Sequence, residues 1–400
     1  MRPSRVLITA VEASGDALGA ALMRELTRRL PEETTFIGVG GPQMQAEGLA
    51  SLFDISELSV MGFLEGLLAY RRAQRRAAEI AGLARREQPD VAVLIDSWGF
   101  SYLTAKALRR ALPDLPLVKY VAPQVWATRP GRAQTVAALF DHLLSIIPFD
   151  QPYFADLPIQ TTFVGNPALS RDFSGADGEG LRARLGIAPD SPVLLVLPGS
   201  RPGEIKRVMP ALEDAARRLK GERPALEVII PVAPTVAEAV KVRAAQLPFQ
   251  AHVVLGGADK HAAMAAATAA LACSGTVTTE LAMAGCPMVV AYKLSPLTAV
   301  IARRIVRVPY ASLINIAAGE AVAPEFIQED CTGPRLAAAV GPLLDNPALR
   351  AAQTAAQNRA LDRLGRGGPD PAERSAQVIE AILRSRSPRP SPQPRSSRGL

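Results

Sequence analysis

Short apolar runs alternate along the chain with longer amphipathic stretches. In the first half the runs are Val6–Thr9, Thr35–Val39, Val91–Ile95, Leu117–Val121 and His142–Ile147. Between them lie stretches of helical period, among them Ala17–Leu30, Leu67–Arg86 and Leu103–Leu112. The runs are continuously apolar rather than apolar at every second residue, which predicts strands covered on both faces. Such strands separated by helices predict a parallel sheet in an α/β domain. The second half repeats the scheme, with strands predicted over Val193–Leu197, Leu226–Ile230, His252–Leu255, Ala269–Cys273 and Met288–Ala291. Its helices are predicted over Glu204–Leu219, Thr235–Leu247, Lys260–Thr268, Thr276–Ala284 and Ala299–Val306. Beyond Thr332 the pattern is helical, through Pro334–Leu344, Ala348–Leu361 and Ala372–Leu383.

A chain of 400 residues is too long for one core, so two domains are expected. The polar, Gly- and Asp-rich stretch within Ala168–Pro192 marks the boundary between them. The expected division is residues 1–172, residues 183–345, C-terminal helices over 346–383 and a basic tail over 384–400. The predicted fold class is α/β, with two doubly wound parallel-sheet domains facing across a cleft. In such folds ligands lie outside the carboxyl ends of the strands.

Composition changes this picture little. The net charge of +7 resembles a nucleic-acid signal, but five Arg lie in the acid-free stretch 384–400, and without them the remainder carries +2. That tail is too poor in apolar residues to fold, which predicts a solvated segment. The competing reading is a weak electrostatic contact with anionic lipid or nucleic acid. Three scattered Cys and three His have no metal-ligand or disulfide spacing, which fits a reducing compartment and no metal site. The apolar start runs straight into a turn, so it reads as a buried strand and not as a signal peptide. The longest uncharged stretch, between His261 and Glu280, is Ala-, Ser- and Thr-rich and too weakly apolar for a membrane span.

Candidate chemistry gathers after the predicted strands. Glu12-Ala13-Ser14-Gly15-Asp16 joins the first strand to a helix. Gly15 allows a tight turn, Ser14 or Asp16 can cap, and free N–H groups at the helix start suit an anion. The plain alternative is cap and turn only. Gly38-Val39-Gly40-Gly41-Pro42 follows the second strand, where glycines let backbone approach a ligand or simply turn. Asp96 ends the run VAVLID, where it either serves as a general base or caps the next helix. In the second half, Gly199, Ser200 and Arg201 follow the strand VLLVL. Gly199 permits close approach, Ser200 donates a hydrogen bond and Arg201 can fork onto a phosphate, which reads as a diphosphate site, with a mere loop as the plain alternative. Ser274, Gly275 and Thr276 form a second such turn. Glu280 lies one helical turn further, placed to accept from a ribose hydroxyl or to complement the helix dipole. Asn315 is a polar candidate in the crevice. Two stretches look adhesive: Val60–Leu64 with Leu67, Leu68, Tyr70 and Arg71, Arg72, Arg75 and Arg76, and Ala299–Val308 with Arg303, Arg304 and Arg307. They read either as core-facing helices with solvated Arg or as interfacial helices meeting anionic lipid.

The segments AVEASGDALGAALMREL, FIGVGGPQMQAEG, ELSVMGFLEGL, YVAPQVWA, LPGSRPGEI, SGTVTTELAMAGCPMVVAYK and ASLINIAAG, in collinear order, together resemble the lipid-A-disaccharide synthase family. The resemblance runs from Val6 to Leu383. It implies two Rossmann-like domains of the glycosyltransferase-B type (family 19) and an inverting transferase of lipid A biosynthesis. The implied reaction joins UDP-2,3-diacylglucosamine to 2,3-diacylglucosamine 1-phosphate (lipid X), releasing UDP. The acceptor 6-hydroxyl attacks to make a β(1→6) bond, without metal or cofactor. The resemblance implies a cytoplasmic enzyme held peripherally at the inner membrane, with no specific nucleic-acid partner and with a homodimer left open. It assigns Asp96 as base, Glu12 as the acid near the first turn, Arg201 to the diphosphate and Asn315 to the C-terminal crevice. Ser14, Gly15, Gly199, Ser200, Ser274, Gly275, Thr276 and Glu280 complete the expected substrate and UDP contacts. The chain departs from the family pattern at Gly99, where an Asp is usual, and at Thr128, where a Trp is often found. The alternatives are another UDP-hexosamine enzyme (an epimerase, or a transferase to an unacylated acceptor) and a non-catalytic membrane- or RNA-binding protein.

Overall fold

The computed structural model describes residues 3–59, 66–127, 131–170, 172–306 and 308–385. Every apolar run named above becomes a strand. The first sheet contains β1 (Arg5–Thr9), β2 (Thr35–Val39), β3 (Val91–Ile95), β4 (Leu117–Tyr120), β5 (His142–Ser145) and β6 (Gln160–Phe163). Its helices are α1 (Ala13–Arg29), α2 (Pro42–Ala46), α3 (Ser56–Ser59), α4 (Gly66–Glu87), α5 (Trp98–Ala111) and α6 (Arg132–Leu139). All pairings are parallel, in the order β2-β1-β3-β4-β5-β6. The residues of β3 are fully buried, as a strand sandwiched between helices must be.

The second sheet contains β7 (Val193–Leu197), β8 (Glu227–Val232), β9 (His252–Leu255), β10 (Ala269–Cys273), β11 (Met288–Tyr292) and β12 (Glu325–Ile327). Its helices are α7 (Gly178–Leu185), α8 (Pro202–Arg207), α9 (Met209–Glu222), α10 (Ala237–Ala244), α11 (Ala258–Ala266), α12 (Thr276–Met283), α13 (Pro296–Ile305), α14 (Leu313–Ala318), α15 (Gly333–Asp345) and α16 (Pro347–Arg363). The order β12-β11-β10-β7-β8-β9 is again wholly parallel. The predicted helix Glu204–Leu219 is two helices, with Val208 between them. Pro210 lies in the first turn of α9, where its missing N–H costs nothing, whereas inside a continuous helix it would remove a bond.

The compact units differ from the expected division. Among the described residues the first comprises those within 3–125, 131–164 and 369–385, and the second those within 126–127 and 165–368. The polar stretch expected to be a boundary is docked on the second unit. Leu181 of α7 is buried. The Arg182 guanidinium donates to Ala266 O at 2.7 and 3.1 Å and to Ser191 O at 2.9 Å. The C-terminal helices separate: α16 stays with the second unit, while α17 (Pro371–Ser385) returns to the first. There Ala376, Ile379 and Ile382 join Leu22, Met23 and Leu26 of α1 in one buried cluster, and Arg29 pairs with Glu373 at 2.9 Å. Burial of three aliphatic faces is the stronger of these forces, since a half-exposed ion pair contributes under about 1 kcal/mol.

Candidate functional site

Both strand orders reverse once. In the first sheet the chain leaves β1 for β2 on one side and returns to β3 on the other, so the reversal lies between β1 and β3. In the second it lies between β7 and β10. Adjacent loops diverge at such points and leave a crevice at the carboxyl ends of the strands. The candidate residues follow these four strands: Glu12, Ser14 and Gly15 follow β1, Asp96 follows β3, Gly199–Arg201 follow β7, and Ser274–Thr276 follow β10.

In the first unit the two loops meet. A Cβ on Gly15 would crowd Cβ of Ala10 at 3.3 Å and touch the Ile95 side chain (3.6 Å) and Cβ of Asp96 (3.8 Å) in ordinary contact, so the start of α1 lies against the end of β3. The Ser14 hydroxyl lies 3.4 Å from Oδ2 of Asp96. Glu12 is exposed at the helix N-cap and makes no capping bond with its side chain. Asp96 is half-buried, and both it and Ser97 are left-handed, with φ of 48° and 35°. Gly99 is exposed, with open space where a side chain would stand. Thr128 lies outside the described residues. Trp98 and Tyr102 present adjoining rings, 5.8 Å between centroids, on the first turn of α5.

Asp16 does not cap its own helix. Its carboxylate accepts from the N–H groups of Gly41 (2.8 Å), Gln43 (2.9 Å) and Met44 (3.1 Å), capping the neighbouring α2. This accounts for the glycine loop after β2 without a ligand. A Cβ on Gly41 would stand 2.7 Å from Asp16 Oδ2, one on Gly40 2.7 Å from Met44, and one on Gly38 2.0 Å from the Ile8 carbonyl oxygen. Lys119, unmarked in the sequence reading, is buried on β4 beneath Asp96, and its Nζ donates to the Asp96 carbonyl at 2.5 Å. Burial pushes its ammonium down to about 7, against the pull of the Asp96 and Glu12 carboxylates.

In the second unit the β7–α8 turn is closed by Glu204. One carboxylate oxygen accepts from the N–H groups of Ser200 (2.9 Å) and Arg201 (3.2 Å). Gly199 has φ 105° and leaves room for that carboxylate, which an added Cβ would meet at 2.3 Å. The backbone donors of the turn therefore serve Glu204, and the group left facing outward is the Arg201 guanidinium, with 81% of its side chain exposed. After β10, the Ser274 hydroxyl donates to Ala311 O at 3.1 Å, while Gly275 and Thr276 open α12.

Two expected contacts are engaged inside the unit. Glu280 is buried and paired with Lys260 of α11, rather than opening at the helix start. Asn315 is fully buried. Its Nδ2 donates to Ala323 O (2.7 Å) and Glu325 Oε1 (2.8 Å), and its Oδ1 accepts from Ala323 N (2.9 Å). It holds the α14–β12 connection in shape, as an amide must when every polar atom is removed from water.

Of the adhesive stretches, Val60–Leu64 lies outside the described residues, as do the side chains of Leu67 and Leu68 and the whole of Arg307. Arg76 turns inward, paired with Glu57 (2.5 Å) and Glu79 (2.6 Å) and stacked 4.6 Å from the Phe53 ring centroid. Arg72 donates to Glu57 O at 3.0 Å. Val300 on α13 and Val306 just after it are 53% and 44% exposed, next to Arg304 and to Arg303, which donates to both carboxylate oxygens of Glu329 at 2.6 Å.

The architecture matches solved structures over nearly their whole length. S. aureus MnaA, in its co-structure with UDP, aligns with a TM-score of 0.62 and 16% identity, over 98% of this chain and 99% of that one. CalG4, the calicheamicin glycosyltransferase, aligns with a TM-score of 0.59 and 19% identity, over 96% and 99%. At such identities the likeness is one of fold, and it defines the class: two Rossmann-like domains of the glycosyltransferase-B type. Residues 6–378 match the family described as lipid-A-disaccharide synthetase. A lipid-A-disaccharide synthase of Rhodospirillum centenum is 41% identical over 386 residues, covering 96% of either chain. The chain belongs to the lipid-A-disaccharide synthase family.

Proposed function

We propose that the loops of the first unit bind and activate the acceptor, and that those of the second hold the UDP of the donor. Membership of the family makes the chain a glycosyltransferase that forms the lipid A disaccharide. The donor is then UDP-2,3-diacylglucosamine and the acceptor 2,3-diacylglucosamine 1-phosphate. One observation carries the division of labour: each candidate loop pair lies at the reversal point of its own sheet, with Asp96 on one and the outward-facing Arg201 on the other.

Asp96 takes the proton of the acceptor 6-hydroxyl as that oxygen attacks the anomeric carbon of the donor. The bond from that carbon to the diphosphate breaks on the opposite face, and configuration inverts. The electron pair leaves with UDP, where the Arg201 guanidinium offsets the developing charge. Ser14 steadies the Asp96 carboxylate, and Glu12 adds a second carboxylate for orienting acceptor hydroxyls. Asp96→Asn and Arg201→Ala each lower turnover by about 10²-fold or more, through lost base catalysis and lost charge stabilisation. Mass spectrometry of the disaccharide product reads both variants. Near-normal rates in Arg201→Ala refute the donor-side assignment, and near-normal rates in Asp96→Asn refute the base.

No helix among the described residues is long and apolar enough to cross a membrane. The exposed Val300 and Val306 beside Arg304 support peripheral contact with an anionic membrane surface, where acylated substrates reside.

A further inference from the structure

Lys119 is a long cation with 1% of its surface exposed and no carboxylate among its hydrogen-bond acceptors. Its neighbours Val118 and Tyr120 point into the aliphatic cluster on the other face of the first sheet. The three N–H groups of Nζ are shared instead among backbone and a hydroxyl: Asp96 O at 2.5 Å, Ser101 Oγ at 3.2 Å, and Leu94 O and Tyr120 O at 3.3 Å. Burying an ammonium in this way is costly unless the acceptors need it.

The acceptors do need it. Asp96 and Ser97 are left-handed at the end of β3, and Val121 is left-handed (φ 72°) at the end of β4. A β-branched residue in that region is an outlier, and such strain persists only where surrounding structure enforces it. The left-handed turn brings the Asp96 carbonyl to an inward position, where Lys119 and the Ser101 hydroxyl (2.7 Å) both donate to it. The Tyr120 carbonyl, which also accepts Asp96 N at 2.9 Å, is gathered by the same ammonium. One side chain thus ties the ends of two strands under the residue assigned as base.

We propose that Lys119 is a positioning residue for the transfer reaction: it clamps the left-handed Asp96–Ser97 turn and so sets the direction of the Asp96 carboxylate. The inference rests on the reading of Asp96 as base. Misplacing a reacting group by about 1 Å costs on the order of 10²-fold in rate. Lys119→Met keeps the length and apolar stem and removes the donors. It lowers kcat by about 10- to 100-fold, on the scale of such a misplacement, with KM for the acylated UDP donor unchanged.

A double-mutant cycle with Asp96→Asn separates positioning from general damage, because residues acting through one another give non-additive effects. In the Asp96→Asn background Lys119→Met adds little further loss, measured on the full chain with both acylated monosaccharides. An equal loss in both backgrounds, or Lys119→Met without effect beside a crippled Asp96→Asn, overturns the clamp and leaves the base in place. An active Asp96→Asn overturns the base and the clamp with it. Should Lys119→Met fail to fold, Ser101→Ala provides the reading, since its hydroxyl bonds both the Asp96 carbonyl and Nζ. A smaller loss in kcat at constant KM supports the clamp, and unchanged kcat refutes it.

Discussion

Replacing Asp16 with Ala tests whether one buried carboxylate organises the loop after β2. Asp16 is 2% exposed and accepts three backbone N–H groups, two of them buried, those of Gly41 and Met44. Alanine leaves both without a partner, at about 1–3 kcal/mol for each buried donor. The Gln43 N–H is only part-buried and regains water. The loss is offset in part because the carboxylate no longer has to be desolvated. A net destabilisation of about 3 kcal/mol is expected, a large share of the roughly 5–15 kcal/mol that holds a domain folded. Asp16→Asn keeps an oxygen for Gly41 and Met44 but turns an NH₂ toward the Gln43 N–H. It therefore costs less, about 1–2 kcal/mol. Urea unfolding followed by circular dichroism gives the difference, with hydrogen exchange over residues 41–49 to localise it. An Asp16→Ala protein within about 0.5 kcal/mol of wild type, at equal m-value, refutes the reasoning.

Peripheral membrane contact through α13 predicts that Val300→Asp weakens co-sedimentation with vesicles containing anionic lipid, while turnover on detergent-dispersed substrates is retained. Equal sedimentation of the two proteins removes α13 from the contact. Burial pushes the thiols of Cys273 and Cys286 up to about 12 and raises that of Cys331, and all three are free and buried. The thiolate is the reacting form, so a thiol reagent at neutral pH labels none of them in the native protein and all three in urea. Fast labelling of the native chain contradicts this.

The order and kind of the main elements were legible because continuous apolar runs leave few options other than buried parallel strands. Of the four edge strands, β2 and β9 were legible as well, and β6 and β12 were not. Gln160–Phe163 and Glu325–Ile327 are half-buried and mix polar with apolar residues, so they carry no such run. The boundary was misplaced for a related reason. The stretch around Asp177 and Gly178 is polar in composition, but Leu181 is buried and Arg182 fastens it to the second unit through Ala266, which lies 84 residues away in sequence.

Candidate loops were legible too, because each follows an apolar run and contains glycine or a helix-capping residue. Sequence by itself determined that carboxylates, hydroxyls and one Arg stand at the carboxyl ends of strands β1, β3, β7 and β10. Only the tertiary structure decided which of them remain available. Asp16, Glu204, Glu280 and Asn315 are taken up by partners inside their own units, whereas Glu12 and Arg201 face outward and Asp96 stays half-buried above a hidden lysine. The physical reason is that a polar group removed from water must find a partner; for Glu204 it comes from the same turn, but for Asp16 and Glu280 it comes from another loop or helix, 25 and 20 residues away, that only the folded sheet brings close.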